Sequence, residues 1–467
     1  MQIITRTLLI SLCFTFFILS GCSIYGPTYK KPKVNVPDRW KSTDELSIST
    51  NYNLPVLPWW KQFNDSVLNQ LIDDAVLSNN DLQAAAGKVI DAEGQLMQVQ
   101  YSIVPSINAL LIGYANTKIN IYRAGYSSGV LPEYALNLFQ YLRSSEKAKA
   151  ELQSSCAKQD AVKLAVISQT AAGYFHYLGQ TYLAHVQFTL VKDLKELLAL
   201  ARLQYKDGLI SLYELQAYEQ DYEKAKAELP IIKNNVVMAR NSLRVLLNEN
   251  PGDIGIGSKF MSLKSNHLVP ANLPSQVLQN RPDVRASEQD LVAATAQIGV
   301  ITSTFFPTLS LTGLAGAGSQ QLSQMFTGNG DYWNQLMPFT MPLVAPEYPG
   351  QHKSAEGLRY KAYHDYIQTI RAAFKSVDDD LSAHKEYYRS LVAEGKNFAS
   401  SEEAYKLAQD SYKEGLYSYP TLLVNKVNMD KAAIDLTKSK IAQLTTIVRL
   451  YQDLGAGYAY HTKTAST

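Results

Sequence analysis

Gly125-Tyr126-Ser127-Ser128-Gly129 matches the G-x-S-x-G pattern that can present a serine nucleophile. That chemistry needs a sharp strand-to-helix elbow and acid and histidine partners. Here the pattern lies in a stretch that reads as a β hairpin, so it is taken as strand sequence. The seven histidines show no H-x-x-x-H or other ligand spacing, and no metal or other cofactor is expected. No G-x-x-x-x-G-K-[ST] loop occurs, so the chain is not expected to bind ATP or power transport itself. Met337 and Met341 carry soft sulfur, but four residues apart in a strand-like stretch they read as packing groups. The chain is not expected to be an enzyme.

The one modification the residues announce is at the amino terminus. Leu8 to Ile18 is an apolar run, too short to cross a bilayer and right for the core of a secretory signal. It leads into Leu19-Ser20-Gly21-Cys22, which looks like a bacterial lipobox. Cleavage after residue 21 and lipidation of the Cys22 thiol are expected, with Ser23 in place of Asp resembling the outer-membrane sorting choice. Of the three cysteines, only Cys22 and Cys156 would remain, so no disulfide forms within one chain. No other stretch reaches the 18 apolar residues of a spanning helix, so any crossing of the bilayer must be β.

Composition narrows the class. The chain has 467 residues and a net charge of +2, without the basic excess of a nucleic-acid binder. Its 25 glycines and 18 prolines are too few for a fibrous or disordered chain. Thirty tyrosines suit surfaces that are half apolar and half wet.

The elements come in a doubled unit. Asn80-Asp81-Leu82-Gln83-Ala84 pairs with Pro282-Asp283-Val284-Arg285-Ala286 at an offset of 202, and Val104-Pro105-Ser106-Ile107 pairs with Phe306-Pro307-Thr308-Leu309. Tyr205-Lys206-Asp207-Gly208 pairs with Tyr412-Lys413-Glu414-Gly415 at 207. Each copy reads as a helix (66–104 and 274–305), a hairpin, a very long helix (144–205 and 354–412), a glycine turn and a returning helix (211–247 and 421–454). The hairpin stretches are rich in Gly, Tyr, Leu and Thr, and no Lys or Arg occurs from Ala286 to His352. Gly208 suits a helix C-cap, and Ser211 with Glu214 a capping box. Tyr222, Ala225, Leu229, Ile232, Val236, Ala239, Leu243 and Leu246 alternate in steps of three and four, a coiled-coil seam.

Strand count then demands company. Two strands per copy give four per chain, and bacterial outer-membrane barrels start at about eight strands. An open edge in lipid is prohibitive, so several copies must close one barrel. Twelve strands from three chains can leave a lumen.

At this point the chain resembles the TolC-like outer-membrane efflux lipoproteins. The supporting stretches are Tyr29-Lys30-Lys31-Pro32, Trp59-Trp60-Lys61-Gln62-Phe63, Asn80-Asp81-Leu82, Gln279 to Arg285, Phe306-Pro307 and both Tyr-x-x-Gly turns. The resemblance implies a mainly α fold with a membrane β-barrel. It implies a homotrimer with a twelve-strand barrel and a twelve-helix periplasmic tunnel. Its parts would be a signal peptide (1–21), a lipidated segment and collar (22–65), repeat 1 (66–250, hairpin about 106–139), an equatorial collar segment (251–272), repeat 2 (273–457, hairpin about 308–344) and a tail (458–467). Where the family often has an Asp-Leu-Phe-Gly-Arg-like stretch, this chain has Asn137-Leu138-Phe139-Gln140-Tyr141-Leu142-Arg143. The second joint departs likewise, at 344–350.

The implied function is a passive outer-membrane channel of a tripartite efflux pump, working with a periplasmic adaptor and an inner-membrane transporter of the RND type. The alternative is the duct of a type I protein-secretion system; the lipobox favours efflux. The implied gate lies just inside the returning helices, at Tyr213, Glu214, Tyr218 and Asp221, and at Tyr419, Leu423, Val424 and Asn425. The turns Lys206, Asp207, Gly208, Leu209 and Lys413, Glu414, Gly415, Leu416 are the implied adaptor-docking tip.

Overall fold

The computed structural model describes residues 26–37, 40–41, 53–114, 125–264, 277, 279–325, 327 and 331–460. Cys22, the signal stretch, residues 265–272 of the collar segment and the end of the tail lie outside them.

Repeat 1 opens with two helices where periodicity predicts one: α1 (Ser66–Ser78) and α2 (Asn80–Tyr101). Asn79 makes the break. Its backbone is extended, and its side-chain oxygen accepts from the N–H groups of Asp81 and Leu82, at 3.0 and 3.2 Å. A short polar side chain that caps in this way competes with helix continuation. At the repeat offset stands Arg281, where the helix also breaks, before α5 (Pro282–Thr302). There the cause is different: Pro282 disfavours the helical conformation in the residue before it.

Between the helices, β1 (Ser106–Tyr114) pairs antiparallel with β2 (Gly125–Leu136). In repeat 2, β3 (Thr308–Ser319) pairs with β4 (Asp331–Leu336) and then with the two-residue β5 (Phe339–Thr340). The expected fourth strand is thus split. Pro338 sits at the split, where it has no N–H to give to a ladder. The sheet order is β1-β2-β3-β4, so among the described residues β1 and β4 are each paired on one side only. Cross-strand register puts Ile107, Ala109, Leu111, Val130, Pro132, Tyr134, Leu311, Ala315 and Trp333 on one face, together with the polar Ser128, Asp331 and Gln335. The opposite face carries Asn108, Ser127, Glu133, Ser310, Thr312 and Asn334 among Leu110, Ile112, Leu131, Leu314 and Leu336. A mainly apolar face backed by a mixed one is the pattern of a lipid-spanning barrel wall. No described helix is long and apolar enough to cross a membrane.

The long helices are α3 (Leu138–Lys206) and α6 (Tyr348–Lys413), and the returning ones α4 (Leu212–Leu246) and α7 (Tyr419–Asp453). Both long helices begin six residues ahead of the expected starts at Ser144 and Ser354. Asn137 explains the first: its side-chain oxygen accepts from Gln140 N–H at 3.0 Å, and its amide donates to the carbonyls of Ser303 and Phe306. Every residue of the α4 seam is buried or half-buried, while Pro230 within the helix is exposed, so water can serve the carbonyl it leaves unpaired.

The chain forms two compact units, and each draws on both repeats. One holds the described residues of Met1–Val34, Gly87–Ala157 and Arg285–Thr369, including the sheet; the other holds those of Asn35–Ala86, Lys158–Val284 and Ile370–Thr467. The second unit has an aromatic core in which Trp59 stacks on Tyr451, with ring centroids 4.9 Å apart, beside Phe63, Phe175, Leu243 and Leu444. Buried Asp65 ties three parts of it together, capping α1 through Leu68 N–H and accepting from Tyr174 hydroxyl and Ser258 N–H. The tail's first residues join this core: Tyr458 is buried, and Ala459 N–H donates to Pro55 carbonyl.

Candidate functional site: the two helical turns

Both turns belong to the second unit, and the same local chemistry builds them. Gly208 adopts φ +71° and Gly415 φ +76°. The left-handed region costs a glycine nothing. Leu209 N–H then reaches back to Gln204 carbonyl at 2.8 Å, and Gly208 N–H to Tyr205 carbonyl at 3.0 Å. Leu416 and Gly415 make the same bonds to Ser411 and Tyr412, at 2.8 and 3.0 Å. These are Schellman closures, which satisfy carbonyls that a helix end leaves bare. The next helices are capped at once. Ser211 hydroxyl accepts from Glu214 N–H, and the Glu214 carboxylate accepts from Ser211 N–H at 2.7 Å. Those bonds hold the Glu214 carboxyl below its usual range. Ser418 caps α7 more weakly, through Thr421, with Pro420 in the first turn, where a missing N–H is harmless.

At the turns Leu209 and Leu416 stand out as apolar knobs, 72% and 71% exposed. Lys206, Asp207 and Glu414 are exposed beside them, and Lys413 pairs with Asp410 at 2.9 Å. A leucine ringed by mixed charge at the end of each helix pair is a compact apolar contact point.

The residues expected at a gate separate into three groups. Tyr213 projects into solvent, and Glu214 is engaged in its cap. Tyr218 packs with Leu215, Leu198 and Ala201, while Leu423 is only 3% exposed, among Leu183, Leu190, Leu194 and Val427, with Val424 packed against them. These side chains hold helix to helix. Asn425 donates back to the Thr421 carbonyl of its own helix. Tyr419 and Asp221 make the cross-helix links. Tyr419 hydroxyl donates to Glu196 on α3 at 2.6 Å, and Lys431 of α7 donates to Asp221 on α4 at 2.9 Å. The bond to Glu196 pushes the Tyr419 hydroxyl up to about 12.

Sequence reasoning missed the partners. Asp193 on α3 lies one turn from Glu196, is buried, and takes Lys426 of α7 at 2.8 Å. Asp430, one turn beyond Lys426, is buried as well; burial, and then the neighbouring Asp193, push its carboxyl up to about 7. Tyr419, Lys426 and Asp430 recur at seven and four residues, a polar stripe beside the buried Leu422, Leu423 and Val427 of α7. That spacing is the signal the sequence held. No group of residues able to hold a metal occurs among the described residues.

A family model described as outer membrane efflux protein matches residues 71–249 and 273–456. The chain belongs to the outer membrane efflux protein family. The match falls in two blocks separated by the 250–272 stretch, as the doubled sequence does. Within the outer membrane efflux proteins, it is 28% identical to the toluene efflux pump outer membrane protein TtgC of Pseudomonas putida, covering 98% of this chain and 97% of that one. It is likewise 28% identical to the probable outer membrane lipoprotein SilC of Salmonella typhimurium, over 95% and 97% of the two chains. Among solved structures it resembles the open-state MtrE outer membrane channel of Neisseria gonorrhoeae. That match has a TM-score of 0.82 and 26% identity, and covers 94% of this chain and 99% of that one.

Proposed function

We propose that this outer membrane efflux protein is the passive exit duct of a tripartite pump that expels small molecules. One observation carries the reading: a sheet with a mainly apolar face, and with two edges unpaired among the described residues, is continuous in sequence with two helix pairs that end in capped turns. Such a sheet is costly in lipid until further copies pair its edges. Four strand lanes per chain make twelve in a homotrimer, enough for a lumen. The unbroken helices α3 and α6 would carry that lumen into the periplasm. A lipid anchor at Cys22 accords with the family's lipoprotein members.

The turns serve as the adaptor-docking tip, through Leu209 and Leu416, and the inner-membrane RND-type transporter supplies the energy. Nothing in the helical turns performs catalysis; their polar groups cap, pair and pack. The helices α3, α4 and α7, linked through Tyr419, Lys426 and Asp221, form the gate.

The test is direct. Detergent-solubilised protein should run as three copies by light scattering and conduct in planar bilayers. Deleting the gene should raise intracellular accumulation of efflux-pump dyes and leave protein secretion intact. A monomer without conductance overturns the duct, and a pure secretion defect favours the type I alternative.

A further inference from the structure

Residues 26–34 pass over α5 in the first unit, and the crossing is unusually close. A Cβ on Gly26 would stand 2.8 Å from the Cα of Gly299, and Gly26 itself adopts φ +89°. From below, a Cβ on Gly299 would stand 2.7 Å from the Cδ and Nε of Arg143. Only two glycines let these backbones meet. Arg143 is 4% exposed and closes the crossing: one guanidinium nitrogen donates to Gly26 carbonyl at 3.2 Å, and another pairs with Glu146 at 2.8 Å. Three and five residues on, Tyr29 hydroxyl and Lys31 ammonium both bind Glu288 of α5, at 3.1 and 2.8 Å. Burial, with the Glu288 carboxylate beside it, holds the Tyr29 phenol well above its usual range.

We propose that Gly26, Gly299 and Arg143 form a seat that fixes where the lipid anchor leaves the protein. This rests on the lipidation of Cys22. Four peptide units separate Cys22 from Gly26, a reach of at most about 14 Å. A chain seated at Gly299 therefore delivers its acyl groups close to that end of α5 which, through Pro307, enters β3. An unseated chain could swing its anchor over roughly three times that radius, since residues 22–34 would then be free. The seat thus turns a flexible tether into a short one beside the chain's own barrel strands. Arg143 and Glu288 act as positioning residues.

The full-length protein in isolated outer membranes tests this, with trypsin cleavage after Lys30 and the mass of the amino-terminal peptide as the two readouts. Gly26→Leu should speed cleavage at least tenfold while the peptide keeps its acyl mass. Glu288→Ala, which removes the links to Tyr29 and Lys31 and leaves the glycine crossing intact, should speed it a few-fold. Unchanged cleavage in both variants overturns the seat. A wild-type peptide that is released slowly but carries no acyl group overturns the anchoring role and the lipidation reading, while the seat itself stands.

Discussion

The hydroxyl of Tyr419 lies 2.6 Å from a carboxylate oxygen of Glu196, and two helical turns further along α7 the ammonium of Lys426 lies 2.8 Å from Asp193. The same face of one helix thus meets the same face of another through one exposed link and one half-buried link. Their energies differ accordingly. The exposed bond contributes about 0.5–1 kcal/mol. Removing Lys426 strands the buried Asp193 carboxylate and costs more than losing the exposed bond, about 1–3 kcal/mol.

Tyr419→Phe should therefore leave the melting temperature within about 2 °C of wild type and raise single-channel conductance or open time several-fold in planar bilayers. Unaltered gating in this variant would remove Tyr419 from the gate. The native link should also be lost at strongly alkaline pH. The Tyr419 proton is held more tightly in the fold than in the unfolded chain. Its contribution is complete below about pH 10 and fades as pH rises through about 12.

Asp430 gives a pH dependence near neutrality. Its carboxyl is pushed up to about 7 by burial and by Asp193, so the fold favours its protonated form. That contribution is complete below the unfolded value near 4 and is lost as pH rises through about 7. Asp430→Asn, which is neutral at every pH, should be more stable than wild type at pH 8 by about 1–2 kcal/mol and nearly equal to it at pH 4. Denaturant melts at the two pH values check this; a constant difference would contradict it.

Leu423→Ala separates packing from pore lining. The side chain is enclosed by α3 and α7 residues, so its loss leaves a cavity worth about 2–5 kcal/mol. The variant should unfold at markedly lower denaturant and leak through general loosening. A Leu423→Met variant, which keeps the volume, should conduct like wild type.

Leu209→Asp with Leu416→Asp should abolish adaptor binding in a pull-down with purified adaptor while leaving the melting curve unchanged. Both side chains are in solvent, and neither glycine turn is altered. Retained binding would place the docking surface elsewhere.

Much of this was legible from residue types alone. The Gly208 cap, the Ser211–Glu214 box and the α4 seam are local patterns in which short-range sterics and hydrogen bonds decide the outcome, and the structure has all three. The duplicated order of helices and hairpins was legible because a repeat states its own boundaries. The break at Asn79 was missed because an apolar periodicity runs through it, and one side-chain cap outweighed that signal. The Asp193–Lys426 pair was missed for another reason: its members are 233 positions apart, and nothing local on α3 announces a buried aspartate. The joint at Asn137 was misplaced since its amide binds carbonyls 166 and 169 residues away.

The two edges of the sheet that are unpaired among the described residues also have a bearing on the life of a newly made chain. Between export and insertion, each molecule carries a raw strand on either side, able to zip onto any extended polypeptide it meets. Productive closure requires encounters among siblings, so yield should rise steeply with their local abundance. Crowding too early, before the bilayer is reached, would send the same edges into amorphous clumps, and holding factors in transit would be needed to keep the copies apart.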